Sequence, residues 1–305
     1  MSAPRISVAM PAYQAERWIG ETLESVMGQT SAPDEVVVVD DGSTDRTSEV
    51  VRSFGDRVRL VQQANAGPPA AYNRGFREST SAYVAMCPAD DLWEPHKLEV
   101  QREALAKDPA IDVAFARARY FGIEERDFDA PQGEGILDTG TLFREMYWSD
   151  QIPAPTAVVR RAAWERLGGF REDLAAEDYE FWLRALRARA VFYFDRRVLA
   201  RLRQHGGNVS SQALPMWEMN HRIHAEYAAD LGDPGLTRRT LARDLRTIGR
   251  CRVGLGRARD ARLAYRASAG HVPHPAAVAW TLLLSVPGSA AVAGRLAAHR
   301  RANAA

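Results

Sequence analysis

Cysteine and lysine are almost absent from this chain: each occurs twice in 305 residues. Cys87 and Cys251 lie far apart with no metal-ligand spacing, which excludes a disulfide framework and a cysteine zinc site. So sparse a use of thiols fits a reducing, cytoplasmic setting. The two common phosphate cradles are missing too. There is no Gly-x-x-x-x-Gly-Lys-[Ser/Thr], and no Gly-x-Gly-x-x-Gly after the first strand, which argues against a P-loop enzyme and a dinucleotide oxidoreductase. Long apolar runs are scarce, so an integral-membrane polymerase with several spans is not expected. The short apolar run near the N-terminus reads as a first strand rather than a secretory signal.

What is present is ordinary for a globular protein: 46% hydrophobic and 26% charged residues, with length for one large or two smaller domains. The net charge of +1 hides a gradient. Residues 233–305 carry 13 Arg against 3 Asp, a local +10, which leaves −9 on the first 232 residues. A tail of that kind favours an anionic neighbour, with an arginine-rich compositional habit as the plainer account. Residues 275–294 hold no charge over 20 positions, near the length that spans a bilayer, but Ser285, Pro287, Gly288 and Ser289 interrupt them. With Arg295, Arg300 and Arg301 beyond, the expectation is a membrane-surface helix pair, the alternative a packed C-terminal helix.

Periodicity organises the first 95 residues as alternating strands and helices. Strands are expected at 5–10, 36–39, 58–61 and 83–87. Helices are expected at 16–27, from Thr44 or Asp45 to Phe54, and after Pro69. This is the pattern of an α/β fold, a mostly parallel sheet with helices on both faces. Further on come a helix at 95–105, a strand at 112–121, a strand at 155–159 and helices at 162–167 and 179–186. Short strands at 191–194 and 198–202 follow, then helices at 215–231, 237–254 and 257–270. Residues 122–140, rich in Gly, Pro, Asp and Glu, read as a mobile loop able to fold over a ligand. The expected division is a catalytic domain over 1–212 and a helical region over 213–305.

Three acidic clusters carry the chemistry: Asp40 with Asp41, Asp90 with Asp91, and Glu177 with Asp178. The first two each follow an apolar strand of one presumed parallel sheet, and ligands of such sheets bind outside the carboxyl ends of the strands. Capping of a following helix explains one of Asp40 and Asp41 at most. Carboxylates converging at that edge suit a hard divalent cation, Mg²⁺ or Mn²⁺, which keeps places for water and substrate phosphates. A nucleoside diphosphate is the implied ligand. Trp93 and Trp148 are candidate stacking platforms for a ligand, burial being the plainer reading.

The motifs Pro11-Ala12-Tyr13-Gln14, Val39-Asp40-Asp41-Gly42-Ser43-Thr44-Asp45, Asn65-Ala66-Gly67 with Asn73-Arg74-Gly75, Ala89-Asp90-Asp91, Gly168-Gly169-Phe170, Glu177-Asp178 and His205-Gly206-Gly207-Asn208 follow one another in a telling order. Over residues 5–210 they resemble a family 2 (GT-A fold) inverting glycosyltransferase. The resemblance implies a Rossmann-like sheet with a C-terminal helical extension. It also implies transfer of a sugar from a nucleotide sugar, UDP above all, to an acceptor hydroxyl that is lipid-linked, part of a growing polysaccharide or on a small metabolite. Asp40 then matches the acid that reads the base or ribose, with Pro11, Ala12 and Tyr13 as the pocket floor. Asp41, Asn73, Arg74 and Ala89 join the nucleotide site. Asp90 matches the metal-holding acid of an Asp-x-Asp, with Asp91 and His205 completing the shell. Asp178 matches the general base and Glu177 its positioning neighbour.

Two positions depart from the family pattern. Pro88 stands where the first Asp is usual, and Tyr72 where an Arg commonly precedes the Asn; Arg74 is a candidate replacement charge. Gln14-Ala15-Glu16-Arg17-Trp18 spells the Gln-x-x-Arg-Trp of processive polymerases, but it lies before the second strand and reads as a helix start. The rival functions are a nucleotide-sugar-binding protein without turnover, and a nucleotidyltransferase, for which the loop after the first strand lacks the Gly-rich, basic character. No nucleic-acid partner is expected, and the implied location is the cytoplasm, at the inner face of the cell membrane.

Overall fold

The computed structural model describes residues 3–174, 177–207 and 213–285, with the side chain of Glu177 outside that description. The chain divides into two compact units, residues 1–206 and 207–305.

In the first unit, β1 (Ile6–Ala12), α1 (Ile19–Met27), β2 (Glu35–Asp40), α2 (Thr47–Arg52), β3 (Arg59–Gln62), α3 (Pro68–Glu78) and β4 (Tyr83–Met86) alternate as expected. They are followed by β5 (Leu92–Trp93), α4 (Lys97–Lys107), β6 (Val113–Gly122), β7 (Arg126–Asp127), β8 (Gly135–Ile136) and α5 (Thr139–Trp148). The unit closes with β9 (Val158–Arg160), α6 (Arg161–Leu167), α7 (Glu177–Arg187) and β10 (Phe192–Gln204). The strands form one sheet in the order β3-β2-β1-β4-β9-β6-β10-β5, with β7 beside β6 and β8 beside β10. Pairings β1/β2, β2/β3, β1/β4 and β6/β10 are parallel.

The valine run of β2 explains its central place. Val36 and Val38 pack into the large core cluster on one face, while Val37 and Val39 meet Ala71 of α3 on the other. Burial on both faces is what a strand covered by helices on each side requires. Strand order 3-2-1-4 then sets the carboxyl ends of β1, β2 and β4 along one edge, where doubly wound sheets bind ligands.

Three sequence expectations change. Residues 122–140 are pinned to the sheet, since Asp127 pairs with Arg119 across β6/β7 and Gly135 with Phe194 across β8/β10. Asp127 also takes ion pairs from Arg117 and Arg119. The two strands expected at 191–194 and 198–202 are one strand, β10, with register shifts between Asp195 and Ala200. Asp195 fills the irregularity by accepting from the Arg197 N–H and guanidinium. The strand expected at 155–159 begins only at Val158, because Ala154–Thr156 forms a 3-10 turn around Pro155.

In the second unit, α8 (Ala213–Tyr227), α9 (Pro234–Gly254), α10 (Ala258–His271) and α11 (Pro275–Leu283) follow in order. Tyr265 stacks on Trp280, centroids 5.8 Å apart, and His224 Nδ1 lies 2.6 Å from Asp244 Oδ2 in the buried interior. Among the described residues no helix is long and apolar enough to cross a membrane. Residues 286–294 of the uncharged stretch, and Arg295, Arg300 and Arg301, lie outside the described residues, as does Asn208.

Candidate active site

The first wall of the site is the turn after β2. Asp40, 1% exposed, accepts from the Ser43 N–H at 2.9 Å and from the Ser48 hydroxyl. Asp41, 3% exposed, accepts from Gln63 Nε2 (2.8 Å), the Ala66 N–H (2.9 Å) and the Gly67 N–H (2.8 Å). Its own N–H donates to the Ala12 carbonyl at 2.8 Å. Gly42 has φ +79 and a Cβ there would stand 2.9 Å from Asn65 N, so the turn needs glycine for both conformation and space. The two acids thus join the loops after β1, β2 and β3 into one frame. Of the expected floor, Pro11 and Ala12 belong to β1 itself and Ala12 is buried, while Tyr13, just beyond the strand, is 55% exposed.

Asn73 and Arg74 both have partners within the chain. Asn73 is buried in α3. Its Nδ2 donates to the Phe170 carbonyl (2.9 Å) and Glu172 Oε1 (2.8 Å), and its Oδ1 accepts from the Phe170 N–H (2.8 Å). Gly169, at φ +76, passes so close that a Cβ would stand 2.8 Å from Asn73 Oδ1. Asn73 therefore clamps the Gly169–Glu172 segment that precedes α7. Arg74 points along the exposed face of α3 and pairs with Glu78 at 2.8 Å, one helical turn away.

Beyond β4 the second wall forms. Asp90 Oδ2 lies 3.0 Å from His205 Nε2, bringing the end of β4 to the end of β10. Asp91 turns inward. It is buried, and its Oδ1 accepts from the Arg203 N–H at 2.8 Å. Burial pushes its carboxyl well above the ordinary range, and the neighbouring Asp90 adds to the rise. Two of the three expected metal ligands thus converge, and the third serves to pin β10. Ala89 is buried too, its carbonyl accepting from Thr22 Oγ1 at 3.0 Å.

Arg203 is a site residue that sequence reasoning missed. Its Nε donates to the Asp90 carbonyl at 2.9 Å and its guanidinium pairs with Glu21. It lies 4.5 Å from the Trp18 ring centroid and 4.6 Å from that of Phe121. Trp18 in turn stacks on His205 at 5.4 Å. The available signal was a cation two residues before the candidate histidine.

The third wall is the start of α7. Asp178 is partly exposed, and its Oδ1 accepts from the Tyr179 N–H at 2.8 Å, as a first-turn acid does. Burial raises its carboxyl above the ordinary value, against the pull of that N–H. Tyr179 Oη donates to the Met146 carbonyl at 2.8 Å and ties α7 to the end of α5. Just past that end stands Asp150, another residue the sequence did not single out. Its Oδ1 accepts from the Ile152 N–H at 3.1 Å. Burial pushes it well above the ordinary carboxylate range, and the charge of Asp178 pushes the same way. Tyr120, on β6, has its phenol raised first by burial and also by the charges of both Asp150 and Asp91. Asp150 and Asp91 therefore both lie within electrostatic reach of one phenol.

Among the described residues no three Asp, Glu, His or Cys side chains gather as a ready metal site. What these residues offer is one carboxylate beside one imidazole, an aromatic-lined cation beside them, and, at the start of α7, a partly exposed acid with raised proton affinity.

The fold is shared with solved glycosyltransferases. Residues 1–349 of S. aureus TarS, in complex with UDP-GlcNAc, superpose with TM-score 0.68 at 21% identity, over 95% of this chain and 88% of that fragment. The mannosyltransferase PcManGT from Pyrobaculum calidifontis, in complex with GDP-Man and Mn²⁺, does so with TM-score 0.58 at 19% identity, over 96% and 88%. The architecture is that GT-A fold, an open α/β sheet flanked by helices. An uncharacterized glycosyltransferase of Rickettsia typhi is 29% identical over 224 residues, 71% of this chain and 69% of that protein. The profile of "Glycosyl transferase family 2" matches residues 7–168, more than half of the length. The chain belongs to glycosyl transferase family 2.

Proposed function

We propose that the chain transfers a sugar from a UDP-sugar to an acceptor hydroxyl with inversion at the anomeric carbon, Asp178 acting as general base and a divalent cation facing the diphosphate. The observation that carries this reading is the approach of Asp90 Oδ2 to His205 Nε2, 3.0 Å, which joins the loop after β4 to the end of β10. One carboxylate oxygen and one imidazole nitrogen at that spacing fit Mn²⁺ or Mg²⁺, which leave their other positions to water and phosphate oxygens. The imidazole tilts the choice toward Mn²⁺, and the Mn²⁺ in the PcManGT complex supports it. When bound, such a cation neutralises charge developing on the leaving diphosphate.

The chain's own residues supply the rest. Asp178 takes the proton of the attacking hydroxyl, and its raised proton affinity brings it toward neutrality, where a base is most effective. Arg203 fixes the Asp90 backbone and so aims the carboxylate. Asp40 and Asp41 hold the loops that floor the nucleotide pocket, with Tyr13 exposed just beyond β1. The UDP-GlcNAc held by TarS supports a uridine donor. The acceptor is a glycan hydroxyl, lipid-linked or polysaccharide.

The test is release of nucleoside diphosphate from a panel of UDP- and GDP-sugars, with and without Mn²⁺. Asp178→Asn is expected to lower turnover by about 10²–10⁴-fold, the usual contribution of a positioned base. Undiminished turnover in that variant removes Asp178 from the role. No release from any donor leaves binding without turnover as the function.

A further inference from the structure

A cavity of about 300 Å³ opens beside α5, lined by Ala130, Gln132, Arg144, Glu145, Trp148 and Gln151. Its volume lies at the lower end of the range for small-ligand pockets. Its chemistry is specific. Trp148, at the end of α5, is 41% exposed, an unusual surface position for the largest apolar side chain. Arg144 and Trp148 share one face of the helix at i and i+4, with Glu145 at i+1 beside them. Gln151 Oε1 is buried and takes no hydrogen bond among the described residues, although a buried acceptor left unmade costs about 1–3 kcal/mol. Burial also raises the Glu145 carboxyl.

An anionic ligand would meet Glu145, and a purely apolar one would leave the Gln151 oxygen and the Gln132 amide unsatisfied. A polyhydroxylated ring satisfies both demands. Its hydroxyls donate to Glu145 and accept from Gln132 and Arg144, a turn of the Gln151 side chain brings its buried oxygen into the cavity as a further acceptor, and its C–H face lies on the indole. The location agrees. Ala130 follows Asp129, whose Oδ2 accepts from Ser149 Oγ at 3.2 Å, and Gln151 follows Asp150, the acid in electrostatic reach of Asp178. The Gln151 N–H is itself fixed by Met146 Sδ at 3.2 Å, and the Met146 carbonyl receives the Tyr179 hydroxyl at the start of α7.

We propose that this cavity is a saccharide subsite, holding a non-reacting pyranose ring of a glycan acceptor by stacking on Trp148 and hydrogen bonding to Gln151, so that a neighbouring hydroxyl of the same glycan reaches Asp178. The assignment rests on the glycosyl-transfer reading, and its test needs no turnover. Saturation-transfer NMR is run on the full chain with UDP and Mn²⁺, using cellobiose, maltose and N,N′-diacetylchitobiose as probes, with UDP affinity measured separately. At least one disaccharide is expected to bind, and Trp148→Ala and Gln151→Ala are each expected to weaken it by about tenfold, about 1.4 kcal/mol. Their UDP affinity and thermal midpoint stay at the wild-type values. Binding that both variants leave unchanged, or no binding by any of the three probes, overturns the subsite. Failure to bind UDP or release it from a donor counts against the transfer reading instead, because the saccharide signal is read independently.

Discussion

Replacing Asn73 by alanine separates two roles that one residue could have. If it clamps the segment before α7, the loss is one of stability. The carboxamide makes three hydrogen bonds at 2.8–2.9 Å, two of them to the N–H and carbonyl of Phe170, a residue that is itself 3% exposed. Truncation strands both backbone groups, each costing about 1–3 kcal/mol when buried without a partner. With some relaxation, about 2–4 kcal/mol is expected in total. For a unit of this size about 2–4 °C accompanies each kcal/mol, so the first unit should melt about 5–15 °C lower. The assay is thermal unfolding followed by near-ultraviolet circular dichroism, paired with calorimetric titration of UDP well below the transition. The clamp account requires a large fall in Tm with UDP affinity close to wild type. An unchanged Tm with UDP affinity reduced about tenfold or more, about 1.4 kcal/mol, would refute it and return Asn73 to the nucleotide site.

Two further outcomes follow from the charged interior. Asp150 is raised well above the ordinary carboxylate range by burial and further by the charge of Asp178, so Asp178→Asn removes one of these causes and should let Asp150 ionise at lower pH; an Asp150 carboxyl titration followed by NMR that does not move down in that variant refutes the coupling. In the helical unit, burial works against the Asp244 carboxylate, but hydrogen bonds from His221 and His224 and the charges of His224 and Arg243 outweigh it and hold its pKa far below the ordinary range. A depressed carboxylate adds stability above its unfolded pKa that is lost as pH falls toward the folded one. Asp244→Asn, which breaks a buried pair, should therefore lower unfolding free energy by about 3–5 kcal/mol at pH 7 and by less near pH 3. Equal losses at both pH values in urea titrations would contradict the assignment.

How much was legible from sequence depended on how local the cause was. The Val36–Val39 run announced a strand buried on both faces, and Pro68 and Pro69 announced the start of α3. The acids at the ends of β2 and β4 were found because polar residues after apolar runs stand at strand ends. Their partners were not legible. Asp41 is satisfied by N–H groups some 25 residues later, and Asn73 by a segment 97 residues away, distances at which no spacing rule operates. Residues 122–140 looked loose because β7 and β8 are two residues long, too short for any periodicity, and are held by strands elsewhere in the sheet. Asp150 reads as an ordinary polar loop residue before Pro153, and Arg203 as one more arginine in an alternating strand. Only the folded neighbours of these two distinguish them.

Arg203 also bears on how such a molecule can change. Its main chain fastens Asp91, its side chain fastens Asp90 and Glu21, and two aromatic rings hold it in place. The half that would grip the donor is consequently a preassembled block with little room for retuning. On the proposed reading, diversification toward new acceptors would fall to the stretch running from Phe128 to Gln151, and a library confined to it would explore new products while leaving the Arg203 block intact.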